Sequence, residues 1–147
     1  MERKMPSEVP RDVLNGWNVL VIDDDPKSLE VAKIILAAHG ATVHTATNGS
    51  EGLQITHEIH PRFVICDLSM PVMDGWGYIE AVVRDRTITN IPVIALTAHA
   101  MVGDREKAIA AGFHNYLTKP LTPATFMGEL LALLEDIPVI ADDLGLV

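Results

Sequence analysis

The chain has 147 residues, 48% of them hydrophobic, and a formal net charge of −9. That content supports one domain with a full core and is too short for two ordinary ones. The acidic balance works against unaided nucleic-acid binding, no apolar run nears the roughly 18 residues of a membrane span, and the N-terminus lacks a signal peptide's apolar stretch, so a cytoplasmic protein is expected, with no nucleic acid and no membrane among its partners.

Residues 1–17 read as an arm: charges alternate with Pro6 and Pro10, and at most a turn of helix forms near Asp12 to Asn15. A continuous apolar strand follows at 18–22 (β1, NVLVI), stopping at Asp23, Asp24 and Asp25. Pro26 suits a first helical turn, with Asp25 as its cap, and Leu29, Ala32, Lys33 and Leu36 give the helix (α1) a stripe up to Gly40. The alternation then repeats four times. Strands are expected at 41–46 (β2), 62–66 (β3), 91–96 (β4) and 114–117 (β5), and helices at 49–59 (α2, with Leu53, Ile55 and Ile59 inward), 75–86 (α3), 102–111 (α4) and 123–135 (α5). Five strand–helix units in alternation give an α/β fold, a doubly wound parallel sheet with helices on both faces and right-handed connections. Residues 18–136 form that domain, and 137–147 remain as a tail.

The stretch FVICDLSMPVMDGWG at 63–77 organises the reading. Its apolar strand ends at Asp67, a carboxylate too costly to bury unpaired, and Pro71 with Asp74-Gly75 demands a shaped loop before the next helix, which Asp74 caps. Polar residues end three other strands as well: Asp23 to Asp25 after β1, Thr97 after β4 and Lys119 after β5. In a doubly wound sheet these ends share one crevice, where ligands bind. Clustered carboxylates repel unless a cation intervenes, and a hard-oxygen set open to water suits Mg²⁺. A carboxylate beside Mg²⁺, an ammonium and a hydroxyl is equipped to attack phosphorus.

The runs VLVIDDDP (19–26), VICDLSMPVMDG (64–75), IALTAHA (94–100) and YLTKP (116–120), in this order, resemble the receiver domain of two-component response regulators over roughly residues 18–135. The resemblance implies a flavodoxin-like (βα)5 fold with strand order 2-1-3-4-5. It implies that Asp67 accepts the phosphoryl group and that Asp23 and Asp24 hold the metal together with Asp67 and the backbone carbonyl of Ser69. Thr97, with the adjacent Ala98 and Lys119, would bind the phosphoryl group. Tyr116 would be the aromatic switch that turns inward when Thr97 moves, and Ser69 and His99 would tune the lifetime of the modified state. The implied partners are a histidine kinase or a histidine phosphotransfer protein upstream and a protein target on the α4-β5-α5 face, with a homodimer left open.

Read alone, several of these residues have ordinary roles. Asp25 is a cap, Cys66 an inert core thiol, Trp76 and Met73 loop packing, and the six histidines lack metal-ligand spacing. The expected function is a stand-alone receiver, since no helix-turn-helix or catalytic segment follows the fifth helix. Two alternatives remain: a phosphorelay intermediate or hybrid-kinase receiver, and a small aspartyl-phosphate phosphohydrolase, although Ser69 stands where the latter needs a second acid. The apolar tail IPVIADDLGLV is expected to dock beside α5, near the signalling face, or on a second copy, with a frayed terminus as the competing reading.

Overall fold

The computed structural model describes residues 11–98, 103–138 and 140. Five parallel strands, β1 (Asn18–Ile22), β2 (Thr42–Ala46), β3 (Phe63–Asp67), β4 (Val93–Thr97) and β5 (Asn115–Thr118), lie in the order β2-β1-β3-β4-β5. The helices are α1 (Pro26–Ala38), α2 (Gly49–Ile59), α3 (Gly75–Arg84), α4 (Asp104–Ala111) and α5 (Phe126–Glu135). The parallel alternation is the one the sequence pattern predicts, and the flavodoxin-like strand order is the one the resemblance implied.

Side-chain alternation along the strands sorts the core into two layers. Val19, Val21, Phe63, Ile65, Ile94 and Leu96 point to one face, where α1 supplies Ala32, Ile35 and Leu36, and α5 supplies Phe126, Met127, Leu130 and Leu134. Leu20, Ile22, Val64, Cys66, Val93 and Ala95 point to the other, against Tyr78, Ile79 and Val82 of α3 and Ala108 of α4. With both faces covered, the three central strands have no polar side, which is why they read as unbroken apolar runs.

Caps set the helix starts. The Asp25 carboxylate accepts from the Lys27 N–H at 3.0 Å and from the Ser28 hydroxyl at 3.1 Å; Asn48 caps α2 through the Glu51 N–H and Asp74 caps α3 through the Gly77 N–H, both at 2.9 Å. Several boundaries differ from the sequence expectation. Pro92 has no N–H for the ladder, so β4 begins at Val93, although the Pro92 carbonyl still accepts from Val64. The α3 helix ends at Arg84 because Asp85 turns extended and its carboxylate takes the Thr87 N–H and hydroxyl. Thr122 closes a turn on Phe126, delaying α5 past Pro123. Val102, expected to open α4, lies outside the described residues.

Two inward faces also need correction. In α1, Lys33 is exposed and Ile35 takes the buried place, since a buried ammonium there would have no partner. In α2, Leu53, Ile55 and Ile59 are half-buried, and the fully inward positions are Gly52 and Thr56. A Cβ on Gly52 would stand 2.3 Å from Ile22 Cδ1, so the missing side chain lets α2 approach β1 closely. Thr56 donates its hydroxyl to the Gly52 carbonyl at 2.7 Å and meets the Tyr78 hydroxyl at 2.8 Å, a satisfied polar contact between α2 and α3.

The ends of the described chain also pack. Leu14 is fully buried and its N–H bonds the His39 carbonyl at 2.9 Å, so residues 11–17 seal the lower end of α1. Ile137 and Ile140 join the same cluster. Val139 and residues 141–147 lie outside the described residues.

Thr56→Val should cost about 1–3 kcal/mol in chemical denaturation, because it strands the buried Tyr78 hydroxyl. Tyr78→Phe should cost less, since Thr56 keeps its bond to Gly52. A larger loss for Tyr78→Phe would contradict this ranking.

Candidate functional site

Register decides which side chains meet. Ile22 pairs with Cys66, Asp67 with Leu96, and Thr97 with Thr118, so Asp23, Asp67, Thr97 and Lys119 emerge at nearly one level on neighbouring strands. Ladder-like bonds continue past the strand ends: the Asp23 N–H donates to Ala46 at 3.0 Å, the Leu68 N–H to Leu96 at 3.0 Å and the Lys119 N–H to Thr97 at 2.8 Å. The backbones of the polar residues are thus fixed by the sheet.

Lys119 reaches between the two buried carboxylates. Its Nζ donates to Asp23 Oδ1 at 3.1 Å and to Asp67 Oδ2 at 3.3 Å. Asp67 Oδ1 accepts from the Ser69 N–H at 3.3 Å, and Asp23 Oδ1 also accepts from the Asp25 N–H at 2.9 Å. Asp23 has no exposed surface, and Asp67 keeps only 5%. Burial pushes the Asp23 carboxyl up to about 6; the Asp25 N–H and Lys119 oppose this, and the nearby Asp67 charge adds to it. Burial works to lower the Lys119 ammonium, but its bond to Asp23 and the charges of Asp23 and Asp67 overcome it and raise its pKa.

The remaining oxygen of Asp23 points to a cation. Oδ2 lies 3.0 Å from Nζ but off the direction of a hydrogen bond, so it is a buried oxygen without a directed partner. Asp23, Asp24 and Asp67 each offer a carboxylate oxygen within 4.8 Å of the others, and Asp24 is exposed. One ammonium does not balance three carboxylates. This donor set fits a small hard divalent cation with some coordination left to water.

The other residues expected at the site are placed less closely. Thr97 is buried at the end of β4, Ala98 is exposed just beyond it, and Ser69 is exposed with its N–H on Asp67. Tyr116 is half-buried on β5, opposite Ala95, and packs on the α3–α4 side of the core. His99 lies outside the described residues. The Lys119–Pro120 peptide is cis. Met73 and Trp76 pack as loop residues: Met73 lies against Gly49 and Gly77, and Trp76 meets Phe113 edge-on with ring centroids 5.8 Å apart. Burial raises the Cys66 thiol well above its ordinary range, as suits an inert core thiol.

Gly75 carries a role that the sequence reading assigned only to turn formation. A Cβ there would come within 2.4 Å of the Asp67 carbonyl oxygen and 2.9 Å of Leu68 Cα, so the first turn of α3 presses directly on the backbone that holds Asp67. The signal was the Asp74-Gly75 pair itself. Its second meaning, close approach, depends on a contact with residues eight positions back in the chain.

Comparison with known proteins gives a concordant result. The family model for the response regulator receiver domain matches residues 19–131. An uncharacterized 14.6 kDa protein of Leptolyngbya boryana is 38% identical over 110 residues, covering 75% of this chain and 84% of that protein. The polar-differentiation response regulator DivK of Brucella ovis is 28% identical over 81% of this chain and 97% of its own length. The chain spans about half the length of several other curated relatives, among them the DNA-binding dual master transcriptional regulator RpaA of Synechocystis, 32% identical over 79% of this chain and 48% of that protein. Among solved structures, the chemotaxis response regulator CheY4 of Vibrio cholerae superposes with a TM-score of 0.74 at 27% identity, covering 80% of this chain and 98% of that one. The family is a signalling one, which decides against the small phosphohydrolase, and no described helix is long and apolar enough to cross a membrane. With five parallel strands in the order 2-1-3-4-5 and the family model matched over most of its length, the chain belongs to the response regulator receiver domain family.

Proposed function

We propose that this receiver takes a phosphoryl group on Asp67 from a phosphohistidine of a histidine kinase or histidine phosphotransfer protein, and signals by a changed protein contact. The observation that carries the reading is the Asp67 carboxylate, bonded to Lys119 on one oxygen and to the Ser69 N–H on the other, beside an Asp23 Oδ2 that faces the Lys119 charge but accepts no directed hydrogen bond. Asp67 attacks the phosphorus, the new O–P bond forms as the N–P bond to the donor imidazole breaks, and the imidazole takes up a proton as it leaves. Lys119 then shifts from neutralising a carboxylate to neutralising a phosphoryl oxygen, and the Thr97 hydroxyl and Ala98 N–H supply hydrogen bonds to that group. Asp23, Asp24 and Asp67, with the Ser69 carbonyl, would hold Mg²⁺, which supplies positive charge for the phosphoryl oxygens when bound.

The output runs through Thr97 and Tyr116. Drawing Thr97 toward the phosphoryl group makes room beside Tyr116, whose ring then turns inward. Tyr116 lines a shallow groove with Arg105, Asn115, Glu129 and Leu133, the surface formed by α4, β5 and α5, so its rotation changes what that surface offers a protein partner. A receiver domain of a Syntrophus aciditrophicus histidine kinase superposes with a TM-score of 0.71 at 26% identity, and that likeness supports a relay role as the second reading.

Asp67→Asn should abolish incorporation of a phosphoryl group from a small-molecule donor with Mg²⁺ present, read as the mass increment of the intact chain; labelling equal to the parent would sink the assignment. Asp24→Ala and Asp25→Ala should separate two roles of adjacent carboxylates. The first should weaken Mg²⁺ binding by tenfold or more with little change in melting temperature, while the second should lower the melting temperature through the lost cap and leave Mg²⁺ binding nearly intact. Equal effects of the two variants in both measurements would contradict this division.

A further inference from the structure

The groove beside Tyr116 has walls of unlike charge, and that asymmetry bears on what its partner must offer. It measures about 620 Å³ and lies over β5 between α4 and α5. On the α5 wall stand Glu129, Ala132, Leu133 and Asp136, which fall at i, i+3, i+4 and i+7 and so form one stripe along the helix. The stripe reads acid, small, apolar, acid. Among the described residues neither Glu129 nor Asp136 has an ion-pair partner. Arg105, on the α4 wall, is the one cation of the lining, and its Nε donates to Asn115 Oδ1 at 3.2 Å, the oxygen that also accepts the Tyr116 N–H at 2.9 Å. Asp136 is the C-cap of α5, whose last turn holds no basic residue. A cation arriving there would meet both the Asp136 carboxylate and the negative end of the helix.

We infer, resting on the reading that output passes through this surface, that the partner docks a basic amphipathic helix along α5. Its Lys or Arg side chains at i and i+7 meet Glu129 and Asp136, and an apolar residue between them covers Leu133 and the Tyr116 ring. The two acids stand about 10 Å apart along α5, and a helix lying alongside repeats that span with seven residues of its own. The charge match is what selects this occupant. A second copy would bring the same two acids and again a single Arg105. The ends of this chain match less well. Residues 141–147 carry Asp142 and Asp143 and no cation. In residues 1–10, Arg3 and Lys4 sit among Glu2 and Glu8, and Pro6 and Pro10 oppose the helix that would space cations two turns apart.

Two synthetic helices of about 18 residues serve as probes, one with Lys at i and i+7 and Leu at i+3 and i+4 in an alanine–glutamine background, the other with Glu in place of both Lys. Added to the full chain at low salt, the Lys peptide should shift the backbone amide signals of Tyr116, Ala132 and Leu133. Glu129→Gln combined with Asp136→Asn should weaken its binding by about tenfold. Glu129→Lys combined with Asp136→Lys should instead favour the Glu peptide, a gain that a misfolded variant would not show. The inference is overturned if the Glu peptide binds the parent chain as well as the Lys peptide does, if neither binds, or if the shifts centre on other residues. It is equally overturned if removing residues 1–10 or 141–147 shifts the same signals in the free chain, or if sedimentation finds a dimer that the two Lys substitutions dissolve. Phosphorylation of Asp67 should change the affinity for the Lys peptide. A charge-dependent affinity that phosphorylation leaves unchanged would count against the switch through Tyr116 and still support the basic helix as occupant.

Discussion

Everything at the C-terminal edge of this sheet depends on one ammonium shared by two buried carboxylates. Asp23 and Asp67 lie close enough for a single Lys119 Nζ to bond both, and without that cation each would oppose the ionisation of the other. Removing one partner from such a pair generally costs about 3–5 kcal/mol, since the charge left behind stays buried. The shared ammonium still leaves the cluster short of positive charge, with Asp23 Oδ2 lacking a directed hydrogen bond and Asp24 at the surface. That imbalance favours a further cation, since a divalent ion alone would bring three carboxylates and one ammonium close to neutrality.

The sheet supplies the geometry that such a cluster needs. Strands of four or five residues in parallel register bring residues from four segments to one level, and bonds past the strand ends fix their backbones. Gly75 completes the support: with no side chain there, α3 starts against the Asp67 carbonyl, and its Asp74 cap holds the loop between them. The opposite edge has a different task. Leu14, Trp17, Ile137 and Ile140 join the core there, so both ends of the described residues are fastened without touching the charged cluster.

Much of this was legible in the sequence because burial on both faces leaves a simple pattern. NVLVI, FVIC and VIAL could hardly be anything but buried strands, and a carboxylate at the end of such a run already marks a site. Asp25 was recognisable as a cap from Pro26 alone. The strand order was a different matter: the alternation predicts a parallel sheet, but the order 2-1-3-4-5 came from the resemblance to receivers. What could not be read depended on partners distant in sequence. Thr56 faces inward because Tyr78 offers a hydroxyl from another helix, and Gly52 because Ile22 needs its space. Leu14 falls in a stretch read only as an arm, and only the fold shows the gap at the end of α1 that it fills.

The central claim is that this cluster makes Asp67, and neither Asp23 nor Asp24, the attacking carboxylate. Borohydride reduction of the phosphorylated chain, followed by peptide mapping, reads this directly, because hydride converts an acyl phosphate to an alcohol and leaves free carboxylates unchanged. The account predicts a reduced side chain at position 67 alone. Reduction at position 23 or 24, or at none of the three in a chain shown to carry the phosphoryl group, would contradict it.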